Sequence, residues 1–180
     1  MNKILKLSLV LFLICAVVAG VLGVVNELTK DRIAILTTQK TNAAYAAVLA
    51  SDSYEAVAFD KAAFPTVDSV NKASNGAGYV VVSTFSGAQG NITMAAGVDN
   101  DYKCTGISII EHSETSGLGA NAASSSEIGV NFRAQFVGQD ESVALKKAGG
   151  SIDALAGATI TSTAVTTATA TSIAVVKSLG

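Results

Sequence analysis

Leu7 through Val25 runs for nineteen residues without a charge, and that run constrains the fold more than any other stretch. At about 1.5 Å per helical residue it reaches roughly 28 Å, close to the hydrocarbon thickness of a bilayer. In lipid the backbone has to satisfy its own hydrogen bonds, so the run is expected to be a helix. A cleaved signal peptide has a shorter apolar core and a small-x-small cleavage site. Ala19-Gly20 with Gly23 is a poor version of such a site, and a lipoprotein signal would have a small residue before its cysteine, whereas Ile14 precedes Cys15. The run is therefore expected to remain as a membrane anchor.

Lys3 and Lys6 lie just before the run, while Glu27 and Asp31 dilute the positive charge of Lys30, Arg32 and Lys40 after it. Positive flanks stay in the cytoplasm, which favours the N-terminus inside and the rest of the chain outside. All fourteen acidic residues and ten of the twelve basic ones follow the anchor, leaving that part at a formal charge of −4. It has no basic run or basic-aromatic stripe, which argues against nucleic acid. Cys15 in the membrane and Cys104 outside it cannot form an intramolecular bridge. With one histidine in the chain, no metal site is expected.

Residues 1–25 are thus expected as the anchor, 26–50 as a helical connector and 51–180 as one compact domain. The connector shows an approximate helical stripe through Leu28, Ile35, Leu36, Ala43, Ala46, Ala47 and Ala50. Residues 54–76 give no clear period. From Gly78 to Phe85, Asn91 to Val98 and Lys103 to Glu111 the chain is rich in β-branched and alternating apolar residues, with short glycine or aspartate turns between. Three such strands imply an antiparallel meander. A loop is expected over 112–126, a short helix over 127–136 carrying Phe132 and Phe136, and a final helix with Ala164, Val165, Ala168, Ile173 and Val176 on one face. The fold class is α+β: an antiparallel sheet flanked by helices, behind one N-terminal transmembrane helix.

No Walker sequence and no dinucleotide glycine fingerprint is present, and His112 beside Glu114 is as well explained as a polar contact at a strand end. Two segments remain. In His112-Ser113-Glu114-Thr115-Ser116-Gly117-Leu118-Gly119-Ala120-Asn121, the glycines let backbone approach a ligand and Leu118 offers an apolar surface. An ordinary glycine loop fits the residue types equally well. In Asp153-Ala154-Leu155-Ala156-Gly157-Ala158-Thr159-Ile160-Thr161-Ser162, small residues leave the Thr159 hydroxyl uncrowded at a helix start, where free N–H groups favour a phosphate. In a tail this rich in Ala, Thr and Gly, the same triplet also arises by chance.

Taken together, anchor, meander, glycine loop and Gly-Ala-Thr segment resemble the G subunit of Rnf-type ion-translocating electron transport complexes. They also resemble the related C subunit of the sodium-translocating NADH:quinone reductase. The resemblance extends from Asn2-Lys3-Ile4-Leu5-Lys6 through Asn26-Glu27-Leu28-Thr29-Lys30 to the C-terminal helix. It implies a covalent flavin mononucleotide (FMN) domain whose threonine in Asp-x-x-Ser/Thr-Gly-Ala-Thr carries FMN as a phosphoester. That position is Thr159, flanked by Gly157, Ala158, Ile160 and Thr161. The loop Glu-Thr-Pro-Gly-Leu-Gly of such proteins maps onto Glu114, Thr115, Gly117, Leu118 and Gly119, and lies near the flavin. Ser116 replaces the proline and Ala156 replaces the hydroxyl residue before Gly157. The resemblance also implies an electron-carrying subunit with no catalytic residues of its own, in a complex coupling ferredoxin–NAD redox chemistry to ion movement. Its partners would be the other membrane and peripheral subunits and a flavin transferase for maturation. The rivals are a standalone extracytoplasmic flavinylated carrier and a pilin-like structural protein. Against the latter, no acidic residue lies in the apolar run and no glycine precedes it.

Overall fold

A computed structural model describes residues 3–180; Met1 and Asn2, which open the expected anchor, lie outside the described residues. The chain divides into two compact units, one up to Lys40 and one from Thr41 to Gly180.

The described residues of the first unit are all helix, the greater part of α1 (Lys3–Val48). Its apolar side chains are exposed on every side, Phe12 and Leu22 among them. By length and hydropathy it suits a membrane span. The anchor and the connector are thus one uninterrupted helix. A later helix, α3 (Thr159–Lys177), is also long and apolar enough to span a membrane, but most of it is buried inside the second unit.

The second unit holds five antiparallel strands in sequential order: β1 (Tyr54–Val57), β2 (Val67–Ala73), β3 (Gly78–Ser86), β4 (Asn91–Asp99) and β5 (Cys104–His112). The expected meander is β3 to β5. The sequence reading missed β1 and β2, and the register explains why. Between Val67 and Ser69 the pairing with β3 shifts, so β2 buries Val67, Val70 and Ala73 rather than alternate residues. A bulge removes the period-2 signal by which a strand is read. β1 is a four-residue edge, too short to show a period.

Each face of the sheet is covered. On one, Ala44, Val48 and Leu49 from the last turns of α1 and the residue after them meet Val80 and Ala95, and the Thr105 hydroxyl donates to the Val48 carbonyl at 2.5 Å. On the other, α3 and α2 (Glu127–Ala134) close the main core, where Val81, Met94 and Val98 pack with Phe132, Phe136 and Val165. Phe136 lies just past the end of α2, and is fully buried as expected. The expected α3 face is buried too, together with Thr166, Thr169 and Ser172, which the apolar pattern does not mark. Each of these hydroxyls donates to the carbonyl four residues back, at 2.8–2.9 Å. Such back-bonding lets a helix of Ala, Thr and Ser enter a core without an unpaired hydroxyl.

Candidate functional site

After β5 the chain turns under the sheet and runs through a loop to a single 3-10 turn at Gly119–Ala122. Glu114 begins that loop and is 8% exposed. Its Oε1 accepts from the backbone N–H groups of Ala88 (2.8 Å) and Gln89 (3.0 Å) in the β3–β4 hairpin loop. Its Oε2 accepts from the Thr161 hydroxyl in the first turn of α3. Burial alone pushes this carboxyl upward. The Gln89 N–H, the Thr161 hydroxyl, the Ala88 N–H and nearby His112 together outweigh it and hold the pKa below the ordinary glutamate value. Space for the carboxylate comes from Gly119, where a Cβ would collide with Glu114 Oε2 and lie 2.5 Å from Thr161 Oγ1.

The second segment reaches the same place from α3. The Ala158 N–H donates to the Leu155 carbonyl at 3.0 Å, closing a reverse turn whose third residue, Gly157, has φ +70°. Turns of that conformation ask for glycine. The turn is pinned from inside by Ser162, whose fully buried hydroxyl accepts from the Leu155 N–H and donates to the Ala158 carbonyl, both at 2.9 Å. Leu118 lies against the turn: a Cβ on Gly157 would sit 3.0 Å from Leu118 Cδ2.

The fold therefore brings the two sequence segments together, Glu114 to Thr161 and Leu118 to Gly157. Thr159 is half-buried, and its hydroxyl has no hydrogen-bond partner among the described residues. Its neighbours differ. The hydroxyls of Thr161 and Ser162 point inward to protein partners, and that of Thr163 donates to the Thr159 carbonyl at 2.8 Å. Ala158, the buried residue just before α3, supplies no side-chain cap. The first N–H groups of such a helix have no partner within it. Leu118 and Ile160, 44% and 62% exposed, bring apolar surface to the same turn. Thr115 and Gly117 are exposed on the loop, with Gly117 at φ +78°. Ser116, at the proline position, is exposed as well.

The sequence reading did not anticipate the hairpin loop 87–90 as part of this site, nor the inward role of Ser162. No sequence signal marked the former: only the fold brings the loop to the acid, where a Cβ on Gly87 would also strike Glu114 Oε1. Among the described residues no group of acidic, histidine and cysteine side chains could hold a metal.

Residues 87–179 match the family described as the FMN-binding domain, and residues 1–48 match the RnfG N-terminal region. The G subunit of the ion-translocating oxidoreductase complex of Methanosarcina acetivorans is 33% identical over 91% of this chain and 89% of its own length. The G subunit of the Na+-translocating ferredoxin:NAD+ oxidoreductase complex of Acetobacterium woodii is 33% identical over 98% and 93%. The G subunit of a proton-translocating counterpart from Clostridium ljungdahlii is 41% identical over about half of each chain, 49% and 47%.

Proposed function

Because the chain belongs to the G-subunit family of Rnf-type ion-translocating oxidoreductase complexes and carries its FMN-binding domain, we propose that it holds FMN as a phosphoester on Thr159. In this reading it passes electrons between neighbouring centres of a complex linking ferredoxin–NAD chemistry to ion movement. The observation that carries the attachment site is the Thr159 hydroxyl, left without a partner while Thr161, Ser162 and Thr163 are engaged.

The residues present fit the group. A phosphate on Thr159 would sit at the uncapped N-terminus of α3, whose first turn carries no acidic residue and whose N–H groups favour an anion. The exposed faces of Leu118 and Ile160 suit a flat ring system that needs apolar contact. FMN supplies the one- and two-electron chemistry, and the protein's part is to hold and orient it. Thr115 and Gly117 offer loop polar groups and close backbone approach, and Gly119 and Ala158 keep the loop and the helix start near each other.

The domain lies outside the cytoplasm in this reading, since Lys3 and Lys6 are the positive charges nearest the N-terminal end of the apolar run. A covalent tether would keep the cofactor there, where a lost flavin is not replaced. Attachment needs a flavin transferase, and the exposed Ala156, in the place of a hydroxyl residue, is part of the surface that enzyme meets.

Coexpression with a transferase, followed by a denaturing gel, tests the site. The parent should fluoresce yellow-green and Thr159→Ala should not. Fluorescence retained in Thr159→Ala defeats the assignment. A dark parent that stays dark as Ala156→Ser defeats covalent attachment altogether.

A further inference from the structure

We infer that Glu114 is a positioning residue for Thr159: through Thr161 it holds the first turn of α3 against the glycine loop, and so fixes the acceptor hydroxyl for phosphoryl transfer. The inference rests on the reading of Thr159 as the attachment point and adds a role for a carboxylate that need not touch the flavin.

Start from what Glu114 lacks. It is buried, and among the described residues no lysine or arginine pairs with it. A buried carboxylate is expensive to desolvate unless hydrogen bonds hold it. Three donors do so here, two from the hairpin loop and one from α3. Gly87 and Gly119 both leave room for the carboxylate, since a Cβ on either would strike it. The cradle is thus built around the acid from three separate segments of chain.

The end of α3 shows what the cradle does. Alanine is among the poorest residues to begin a helix, and Ala158 provides no side-chain cap. Left to itself the first turn would fray, and Thr159 is its first residue. Two inward hydroxyls tie the turn down instead, without capping its N–H groups. Ser162 ties the preceding turn, and Thr161 ties the helix to Glu114. Thr161 lies two positions past Thr159, about 200° around the helix. The bond therefore anchors the turn from its buried side and leaves the Thr159 hydroxyl free. An anion near the N-terminus of a helix also favours the helix.

In the transfer itself, Thr159 Oγ forms a bond to the flavin-side phosphorus of flavin adenine dinucleotide (FAD). The bridging P–O bond of the diphosphate breaks, adenosine monophosphate leaves with the bonding pair, and the hydroxyl proton passes to base. Such a displacement depends steeply on where the attacking oxygen sits.

The test uses the full chain in detergent, FAD and the flavin transferase, with turnover and KM for the chain measured separately. Thr161→Val and Thr161→Ala should each lower turnover roughly tenfold or more with KM little changed, Thr161→Ser should restore it to within about twofold, and Glu114→Gln, whose amide still donates to the Thr161 hydroxyl, should fall between. Adding Glu114→Gln to Thr161→Val should lower turnover no further, because the hydroxyl that the side chain at 114 holds is already gone. In the flavin-free chain, exchange of the Ser162 amide, which donates to the Ala158 carbonyl at 2.9 Å, should quicken in Thr161→Val. If Thr161→Val does not fold, Thr161→Ala, which also removes the hydroxyl, carries both measurements. Parent turnover in a folded variant, a change confined to KM, or unchanged Ser162 exchange overturns the inference. Parent turnover in folded Thr161→Val or Thr161→Ala alongside an unlabelled Thr159→Ala defeats the inference alone. Label on Thr159→Ala defeats the attachment reading and takes the inference with it.

Discussion

Replacing Gly157 by alanine probes the turn that presents Thr159. Gly157 has φ +70°, a conformation that L-residues other than asparagine and aspartate rarely adopt. Holding an alanine there costs about 1–2 kcal/mol. The new Cβ would lie 3.0 Å from Leu118 Cδ2, the movable end of an exposed side chain, so the steric part is the smaller one. A loss of that size lowers the melting temperature by roughly 3–10 °C for a domain of this length. Thermal unfolding followed by circular dichroism in detergent measures it. Gly157→Asn places the same Cβ but tolerates positive φ better, so it should lose less than alanine does. In a Leu118→Ala background the contact is gone and only the backbone part remains. If Gly157→Ala is then as stable as its Leu118→Ala parent, backbone conformation is not what requires glycine at this position.

Three further expectations follow from the same geometry. Ser83 is fully buried on β3 with no hydrogen-bond partner for its hydroxyl among the described residues, so Ser83→Ala should stabilise the domain by about 1 kcal/mol in a urea titration; a loss of stability would mean that the hydroxyl is satisfied. Glu114 has a depressed pKa when folded, so the folded state holds that proton more weakly than the unfolded one. Its contribution is full above the ordinary value of 4.5 and drains away as pH falls below it; Glu114→Gln should flatten the acid limb of the stability curve, and an unchanged limb would contradict the hydrogen bonds described. For topology, Ser125→Cys puts a thiol on an exposed loop, whereas burial pushes the Cys104 thiol up to about 11 and Cys15 lies in the apolar run. An impermeant thiol reagent should label that variant on intact cells, and labelling only after lysis would place the domain in the cytoplasm.

By itself the sequence determined whatever depends on local chemistry. Nineteen uncharged residues oblige a helix in lipid wherever the rest of the chain goes, and α1 carries them. A β-branched and aromatic run, short turns and the alternation through Ile107 and Ile109 located β3, β4 and β5, and the order of glycine loop and Gly-Ala-Thr segment pointed to the candidate site. Tertiary contact decided the rest. β2 lost its period to a bulge that only pairing with β3 defines. In α3 the apolar pattern marked Ala164, Val165, Ala168, Ile173 and Val176, but not Thr166, Thr169 and Ser172, which the core buries beside them. Of Thr159, Thr161, Ser162 and Thr163, the hydroxyl left free depends on where the sheet, the Leu155–Ala158 turn and Glu114 lie around the helix. Successive helical residues are rotated by about 100°, so the contacts that fix the helix's rotation choose the exposed hydroxyl, and the Glu114 contact among them reaches across 47 positions of sequence.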